Sequence, residues 1–389
     1  MPTQVSPRKR VLVVVGTRPE AIKLAPVILE LRSQSTTFEV VTCVTGQHRD
    51  LLAPMLDLFA IIPDFDLAVM EPNQSLSELT GKLFTGLHNI VQAAQPEWVV
   101  TQGDTTTAMV ASMVAFYHRT STAHVEAGLR TGDRWSPFPE EINRRIADML
   151  ADLHFAPTER AKTTLMAEGV PENAIVVSGN TVVDALQAIV RRPYDWTKGP
   201  LGGVPRDKRL IVVTAHRRES FGPCLHEICM AIRELAQRLD SCGVHLVYPV
   251  HPNPNVQSAV CSVLSGLPNV SLLAPLDYQT MAHLLRNATL VLTDSGGIQE
   301  EAPTFGVPVL ILRDKTERPE GVEAGIARLV GTSREHIVTQ CEGLILNPAK
   351  YAAMQRHGNP YGDGKAAARI VAALLRHGHP TAPLGDAHD

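Results

Sequence analysis

Two α/β domains, each winding its own parallel sheet, are what this 389-residue sequence predicts. Three observations carry that expectation. Short runs rich in Val, Ile and Leu alternate with longer amphipathic segments, the pattern of strands buried on both faces and the helices that cover them. At about 100 to 200 residues per domain, the length suits two domains with a core each. Near the middle, VRRPYDWTKGPLGGVPRDKR is rich in Pro, Gly and charge, the composition of a hinge or linker.

In the first half the apolar runs place strands at VLVVV (11–15), FEVVTCV (38–44), EWVVTQ (97–102), TAHVEA (122–127), DLHFAP (152–157) and AIVVSG (174–179). In the second half they are LIVVTA (210–215), VHLVYPV (244–250), NVSLLAP (269–275), TLVLTD (289–294), PVLIL (308–312) and ARLVG (327–331). The expected boundaries are an N-terminal domain over 1–190, a linker over 191–204 and a C-terminal domain over 205–363. A last helix follows over 364–378, then a flexible tail over 379–389.

Composition narrows the function classes. Hydrophobic content of 44% and charged content of 20% are those of an ordinary soluble globular protein. The net charge of -4 leaves no global basic field of the kind nucleic-acid binding requires, so any anion site is local. No apolar stretch approaches the roughly 20 residues of a membrane span, and the run after the basic N-terminus is too short for a signal peptide. The six cysteines are scattered with no Cys-x-x-Cys pair. Free thiols in a reducing cytoplasm, and no metal site, are expected. Neither a Gly-x-Gly-x-x-Gly after the first strand nor a P-loop is present, which disfavours tightly bound NAD and ATP hydrolysis.

Ligands of open parallel sheets bind at the carboxyl ends of strands, and those ends are strongly polar here. They read Gly16-Thr17-Arg18-Pro19-Glu20, Gly103-Asp104-Thr105 and Glu126-Ala127-Gly128 in the first half. In the second they read His216-Arg217-Arg218-Glu219, His251-Pro252-Asn253 and Asp294-Ser295-Gly296-Gly297. A single polar ending is most often a solvated loop; six are not.

In TDSGGIQEEAP, Ser295, Gly296 and Gly297 lie between a strand and a helix expected from about Ile298, where unpaired N–H groups and the positive helix end suit a phosphate. Glu301, one turn on, suits the hydroxyls of a ribose. A Ser N-cap with packing glycines is the equal alternative for this segment alone. In GTRPEAIKLAP, Arg18 offers a planar fork and Lys23 a point charge for phosphate, with solvated surface as the alternative for Lys23. Asp104, Glu126 and Glu140 are candidate acid/base carboxylates. Each also has a structural reading: a helix start for Asp104, a buried partner for Glu126 and a helix-dipole position for Glu140. Taken together, the residues read as two Rossmann-like domains with a diphosphate-bearing ligand.

Ten segments in order resemble the non-hydrolysing UDP-N-acetylglucosamine 2-epimerase family over residues 10 to 378: GTRPEAIKLAP, TGQHR, QGDTTT, HVEAGLRTGD, SPFPEEINRR, AHRRESFG, YPVHPNPNV, TDSGGIQEEAP, RDKTERPEGVEAG and NPYGDG. The resemblance implies two Rossmann-like domains in a GT-B arrangement with the active site in the interdomain cleft, the last helix packing back on the first domain, and a homodimer. It implies cofactor-free interconversion of UDP-GlcNAc and UDP-ManNAc, by elimination of UDP to 2-acetamidoglucal and re-addition. The product would supply ManNAc units for cell-surface polysaccharide.

Carried onto this sequence, the resemblance makes Asp104, Glu126 and Glu140 the carboxylates of proton transfer and His216 the stabiliser of the departing diphosphate, without assigning acid or base. Arg18, Lys23, Ser295, Gly296, Gly297, Glu301 and Arg318 would line the substrate site. Leu276 and Met281 would lie beside uracil, where the family often has Gln and Phe. Gln47, Arg217 and His251 match an activating second UDP-GlcNAc site of some members. Asp50 and Asn73 replace the Gln and Arg of that site, so weaker or differently built activation is expected. Rival readings are a hydrolysing epimerase releasing ManNAc and UDP, a GT-B glycosyltransferase and a non-catalytic nucleotide-sugar sensor.

Overall fold

A computed structural model describes residues 8–46, 49–217, 221–355 and 358–377, with the backbone alone for 49–51. The chain forms two compact units, Met1–Ala185 with Gly364–Asp389, and Leu186–Asp363.

The first unit runs β1 (Lys9–Val15), α1 (Arg18–Ser33), β2 (Phe38–Val44), α2 (Arg49–Leu58), β3 (Phe65–Asp66), α3 (Leu76–Ala94), β4 (Trp98–Gln102) and α4 (Thr106–Tyr117). It continues with β5 (Ser121–Val125), α5 (Glu140–Leu150), β6 (Leu153–Ala156), α6 (Glu159–Ala167), β7 (Ile175–Val177) and α7 (Thr181–Val190), which leads into the second unit. The strands pair in the order β3-β2-β1-β4-β5-β6-β7, parallel throughout. Continuous apolar runs are the cause: Val11 to Val15 are all buried, because helices cover both faces. Leu12 and Val14 pack with Leu83, Leu87, Val99 and Val114 in one layer of the core.

The second unit runs β8 (Arg209–Thr214), α8 (Pro223–Arg238), β9 (Val244–Pro249), α9 (Pro254–Leu264), β10 (Val270–Leu273), α10 (Tyr278–Arg286), β11 (Ala288–Thr293) and α11 (Gly296–Glu301). Then come β12 (Val309–Ile311), α12 (Pro319–Glu323), β13 (Ala327–Leu329), α13 (Arg334–Ile345) and α14 (Pro348–Gln355), before α15 (Ala366–Arg376) rejoins the first unit. Its sheet order is β10-β9-β8-β11-β12-β13, again parallel. Both sheets are therefore Rossmann-like: a first strand at the centre, the next two to one side and the fourth onward to the other.

All twelve expected strands are present, with ends displaced by two residues at most. The two-residue β3 is additional. It forms because Cys43 and Val44 pair with Phe65 and Asp66 at the sheet's edge, a contact too short to leave an apolar run. Within 191–204, expected as a linker, Trp196, Leu201 and Val204 are buried in the core of the second unit, and the Trp196 indole donates to the Val204 carbonyl at 3.0 Å. The Pro and Gly around them dominate the composition and conceal these anchors. The expected tail, 379–389, lies outside the described residues. Among the described residues no helix is long and apolar enough to cross a membrane, and all six cysteines are free thiols.

Close backbone approach leaves no room for a side chain just after β5. Gly128, after β5, has φ of +86°, and a Cβ there would lie 2.4 Å from the Ala161 carbonyl oxygen of α6. Gly128→Ala should therefore lose about 2–5 kcal/mol of stability through left-handed strain and overpacking, read as a lower urea midpoint with an unchanged slope.

Candidate active site

In each sheet the connections reverse direction at one gap, between β1 and β4 in the first unit and between β8 and β11 in the second. The loops leaving such a pair diverge to opposite faces and open a crevice at the strand ends. The residues there are Gly16-Thr17-Arg18 and Gly103-Asp104 in the first unit, and His216-Arg217 and Asp294-Ser295 in the second. Four of the six polar strand ends singled out in the sequence thus fall at such a crevice, and Glu126 and His251 follow the neighbouring strands β5 and β9.

Close packing fixes the first-unit turn. A Cβ on Gly16 would lie 2.4 Å from the Thr107 hydroxyl and 2.9 Å from a Glu20 carboxyl oxygen. Glu20, fully buried on the first turn of α1, accepts from the backbone N–H of Gly16 at 2.9 Å and of Thr17 at 2.5 Å, and from the Thr105 hydroxyl at 2.7 Å. Arg18 opens α1 and is half-buried.

Glu126 is expected inside a strand, but β5 ends at Val125 and Glu126 turns away with φ of +68°. A non-glycine residue there costs about 1–3 kcal/mol and persists only where its surroundings hold it. Three donors do so: the Lys23 amine, the Gln102 amide and the Asn180 amide at 3.1 Å. Lys23 therefore meets a carboxylate and is not a solvated surface charge. Asp104 pairs with the Arg144 guanidinium, and its carbonyl accepts from Asn143 at 3.0 Å. Both partners lie on α5, whose first residue is Glu140. The Glu140 Oε2 atom is buried and has no hydrogen-bond partner, an arrangement that is costly unless a ligand or water completes it. The first unit thus links Asp104 and Glu126 at adjacent strand ends, with Asp104 tied to the helix that Glu140 starts.

In the second unit the key anchor is Asp294, fully buried at the end of β11. Its Oδ2 accepts from the backbone N–H groups of His216 and Arg217, each at 2.8 Å, and its Oδ1 stands 3.5 Å from the His216 Nδ1. His216 stacks on His251 with ring centroids 5.2 Å apart and planes 5° from parallel. Burial holds the His216 imidazole below its ordinary pKa; Asp294 opposes this, while His251 and Arg217 reinforce it. Arg217 approaches Glu317 at 3.6 Å.

The helix after β11 starts at Gly296, two residues earlier than expected, with Ser295 as its N-cap. Both glycines thereby join the first turn, and Glu301 is its last residue. Arg318 is less free than expected, because its guanidinium pairs with buried Glu300. Leu276 and Met281 are half-buried against the second unit's core. Gln47 lies outside the described residues.

Sequence reasoning missed Gln102, Asn180 and Arg144, and gave Asp294 no role of its own. Gln102 and Asp294 stand directly at strand ends, which is the signal that could have found them. Asn180 and Arg144 become partners only through strand order and helix placement.

Two Rossmann-like units with acidic strand ends in one, and a His/Arg/Ser-Gly-Gly set in the other, define a class of α/β protein fitted to a phosphate-bearing ligand. Comparison with known proteins makes this specific. The family model for UDP-N-acetylglucosamine 2-epimerase matches residues 30–375, and the chain belongs to that family. The Yersinia pestis UDP-N-acetylglucosamine 2-epimerase is 48% identical over 374 residues, covering 95% of this chain and 99% of that protein. The structure of UDP-GlcNAc 2-epimerase from Neisseria meningitidis bound to UDP-GlcNAc superposes with a TM-score of 0.84 at 43% identity, over 95% of this chain and 100% of the other. A co-structure of S. aureus MnaA with UDP gives 0.81 at 42% identity, over 94% and 96%.

Glu20 supplies a pH test of the first-unit turn. Burial raises its carboxyl to about 7, against hydrogen bonds from Thr105, Thr17 and Gly16 that lower it. The unfolded carboxyl releases its proton near 4.5, so between 4.5 and about 7 the native state binds more protons and stability falls as pH rises. Glu20→Gln keeps an acceptor oxygen and should flatten that slope, measured by urea unfolding at pH 5, 6 and 7.

Proposed function

We propose that this chain is a non-hydrolysing epimerase that interconverts UDP-GlcNAc and UDP-ManNAc without a cofactor, as a cytoplasmic homodimer supplying ManNAc units for cell-surface polysaccharide. The observation that carries the reading is the first-unit cluster: two carboxylates held by cationic and amide donors, and a third with a buried, unpartnered oxygen.

The chemistry explains why such a cluster is wanted. The proton on carbon 2 of the sugar is not next to a carbonyl, so abstracting it alone is difficult. If the bond from carbon 1 to UDP breaks as the proton leaves, the C–H electron pair becomes the ring double bond of 2-acetamidoglucal, and the C–O pair departs with UDP. Adding UDP back while carbon 2 is protonated on the opposite face completes the inversion. Asp104, Glu126 and Glu140 are assigned to the proton transfers and to the positive charge that develops at carbon 1.

Charge accumulates on the diphosphate as the bond breaks, and donors already aimed at it lower the barrier. His216, Arg18 and the turn at Ser295, Gly296 and Gly297 are assigned to it. Glu301 is assigned to the ribose, Leu276 and Met281 to the uracil side, and Lys23 and Arg318 to the polar lining. In that lining Lys23 also balances Glu126, and Arg318 balances Glu300. Arg217 and His251, with Gln47, are assigned to a second UDP-GlcNAc.

Incubation with UDP-GlcNAc in D2O, without NAD or metal and followed by NMR, should give UDP-ManNAc with deuterium at carbon 2. Free ManNAc would instead establish a hydrolysing enzyme, and no change without an acceptor would favour a transferase or sensor. His216→Ala should lower kcat by about 10²–10³ with the circular-dichroism spectrum unchanged; near-normal turnover would remove His216 from the mechanism.

A further inference from the structure

Beneath the carboxylate cluster lies a histidine to which no role has been assigned. His124 is the fourth residue of β5, fully buried and paired in register with Thr101 of β4. Its Nδ1 lies 2.6 Å from Asp148 Oδ1 on α5, and its Nε2 lies 2.7 Å from the Gly103 carbonyl oxygen. A backbone carbonyl can only accept. An ionised carboxylate can only accept as well. Both ring nitrogens must then donate, and the ring that satisfies both contacts is the doubly protonated one.

The surroundings sustain that charge. Asp148 also accepts from Arg130 at 2.8 Å and from the Gly128 N–H at 3.2 Å. Although burial would raise its carboxyl, His124 and Arg130 hold it at about 2. Burial by itself would deprotonate His124, yet Asp148 and the Gly103 carbonyl together outweigh it, and its pKa is raised despite Arg130. The other charged or titratable neighbours are His154 of β6, whose Nε2 lies 2.8 Å from the Asp148 carbonyl, and Glu168, which accepts from the same Arg130 Nη2 that meets Asp148. Burial lowers the pKa of His154, so it adds no competing charge.

The position of this contact carries the functional content. Gly103 is in the left-handed region with φ of +73° and immediately precedes Asp104. A Cβ at Gly103 would lie 3.7 Å from Glu126 Oε2, so the same turn borders both carboxylates. We propose that His124 is a buried imidazolium that positions Asp104 by holding the Gly103 carbonyl, making it a positioning residue for the epimerisation. This rests on the assignment of Asp104 and Glu126 to proton transfer.

The two donors can be separated. Asn at 124 places an amide where Nδ1 stands and keeps the bond to Asp148 but does not reach Gly103; Gln places one where Nε2 stands and keeps the bond to Gly103. If the role is positioning, His124→Asn should lower kcat about a hundredfold with KM little changed, the loss expected from a displacement of about 1 Å at a reacting group. His124→Gln should recover kcat to within about tenfold of the wild type. A purely structural role would make the two variants' activities follow their stabilities, and that result would overturn the proposal.

A second measurement needs no variant. Nitrogen-15 NMR of the wild-type protein should show His124 with both ring nitrogens protonated at pH 7; a neutral ring titrating near the ordinary histidine value would overturn the proposal. Asp104→Asn and Glu126→Gln distinguish its failure from failure of the functional assignment. If both retain activity while His124 remains an imidazolium, the catalytic assignment fails, and the positioning role falls with it.

Discussion

The constraint on which this molecule depends is that a parallel strand covered on both faces keeps an ionisable side chain along its length only where a partner inside the core satisfies it, as Asp148 and the Gly103 carbonyl do for His124. Backbone groups are satisfied by neighbouring strands and most side chains by apolar contact, so polar groups that can meet a ligand gather at the carboxyl ends. Val11 to Val15 lie within the sheet, and Gly16, Thr17 and Arg18 follow at once. Leu210 to Val213 are equally buried, and His216 and Arg217 follow Thr214 and Ala215. The strand ends are where charged groups can be gathered and held.

Holding it takes a different device in each unit. In the first, acidic groups are met one by one: Glu126 by Lys23, Gln102 and Asn180, Asp104 by Arg144, and Glu20 by backbone and hydroxyl donors. In the second, one buried carboxylate, Asp294, ties the backbone of two successive residues and fixes the turn from which the His216 ring projects. The first device tunes side chains, whereas the second sets a backbone from which side chains act. In the reaction proposed above, that difference would suit proton transfer at carbon in one case and recognition of a spreading phosphate charge in the other.

Much of this was legible in the sequence, for a physical reason. Strands buried on both faces leave uninterrupted apolar runs, and their ends leave polar motifs, so the sheets and Asp104, His216 and Ser295 stand out in the chain. What stayed hidden depends on partners distant in sequence. Asn180 reaches Glu126 only because β5, β6 and β7 are neighbours. Asp148 and His124 are 24 residues apart and meet inside the core, where neither sequence context announces an ion. The departure of Glu126 from β5 is likewise a tertiary effect, since a glutamate has no intrinsic preference for the left-handed region. Trp196, Leu201 and Val204 were concealed by the Pro and Gly around them.

The return of α15 to the first unit has a consequence for synthesis. Ala366, Ile370, Val371 and Leu374 bury the inner face of that helix in a unit whose other elements end near residue 185. Lys9, from the first strand, donates to the carbonyls of Leu374, Leu375 and His377 at 3.1, 3.0 and 3.1 Å. As the chain leaves the ribosome, the second unit can acquire all of its strands while the first still lacks this helix. The unit whose strands are made first is thus completed only after the chain of the second has been made.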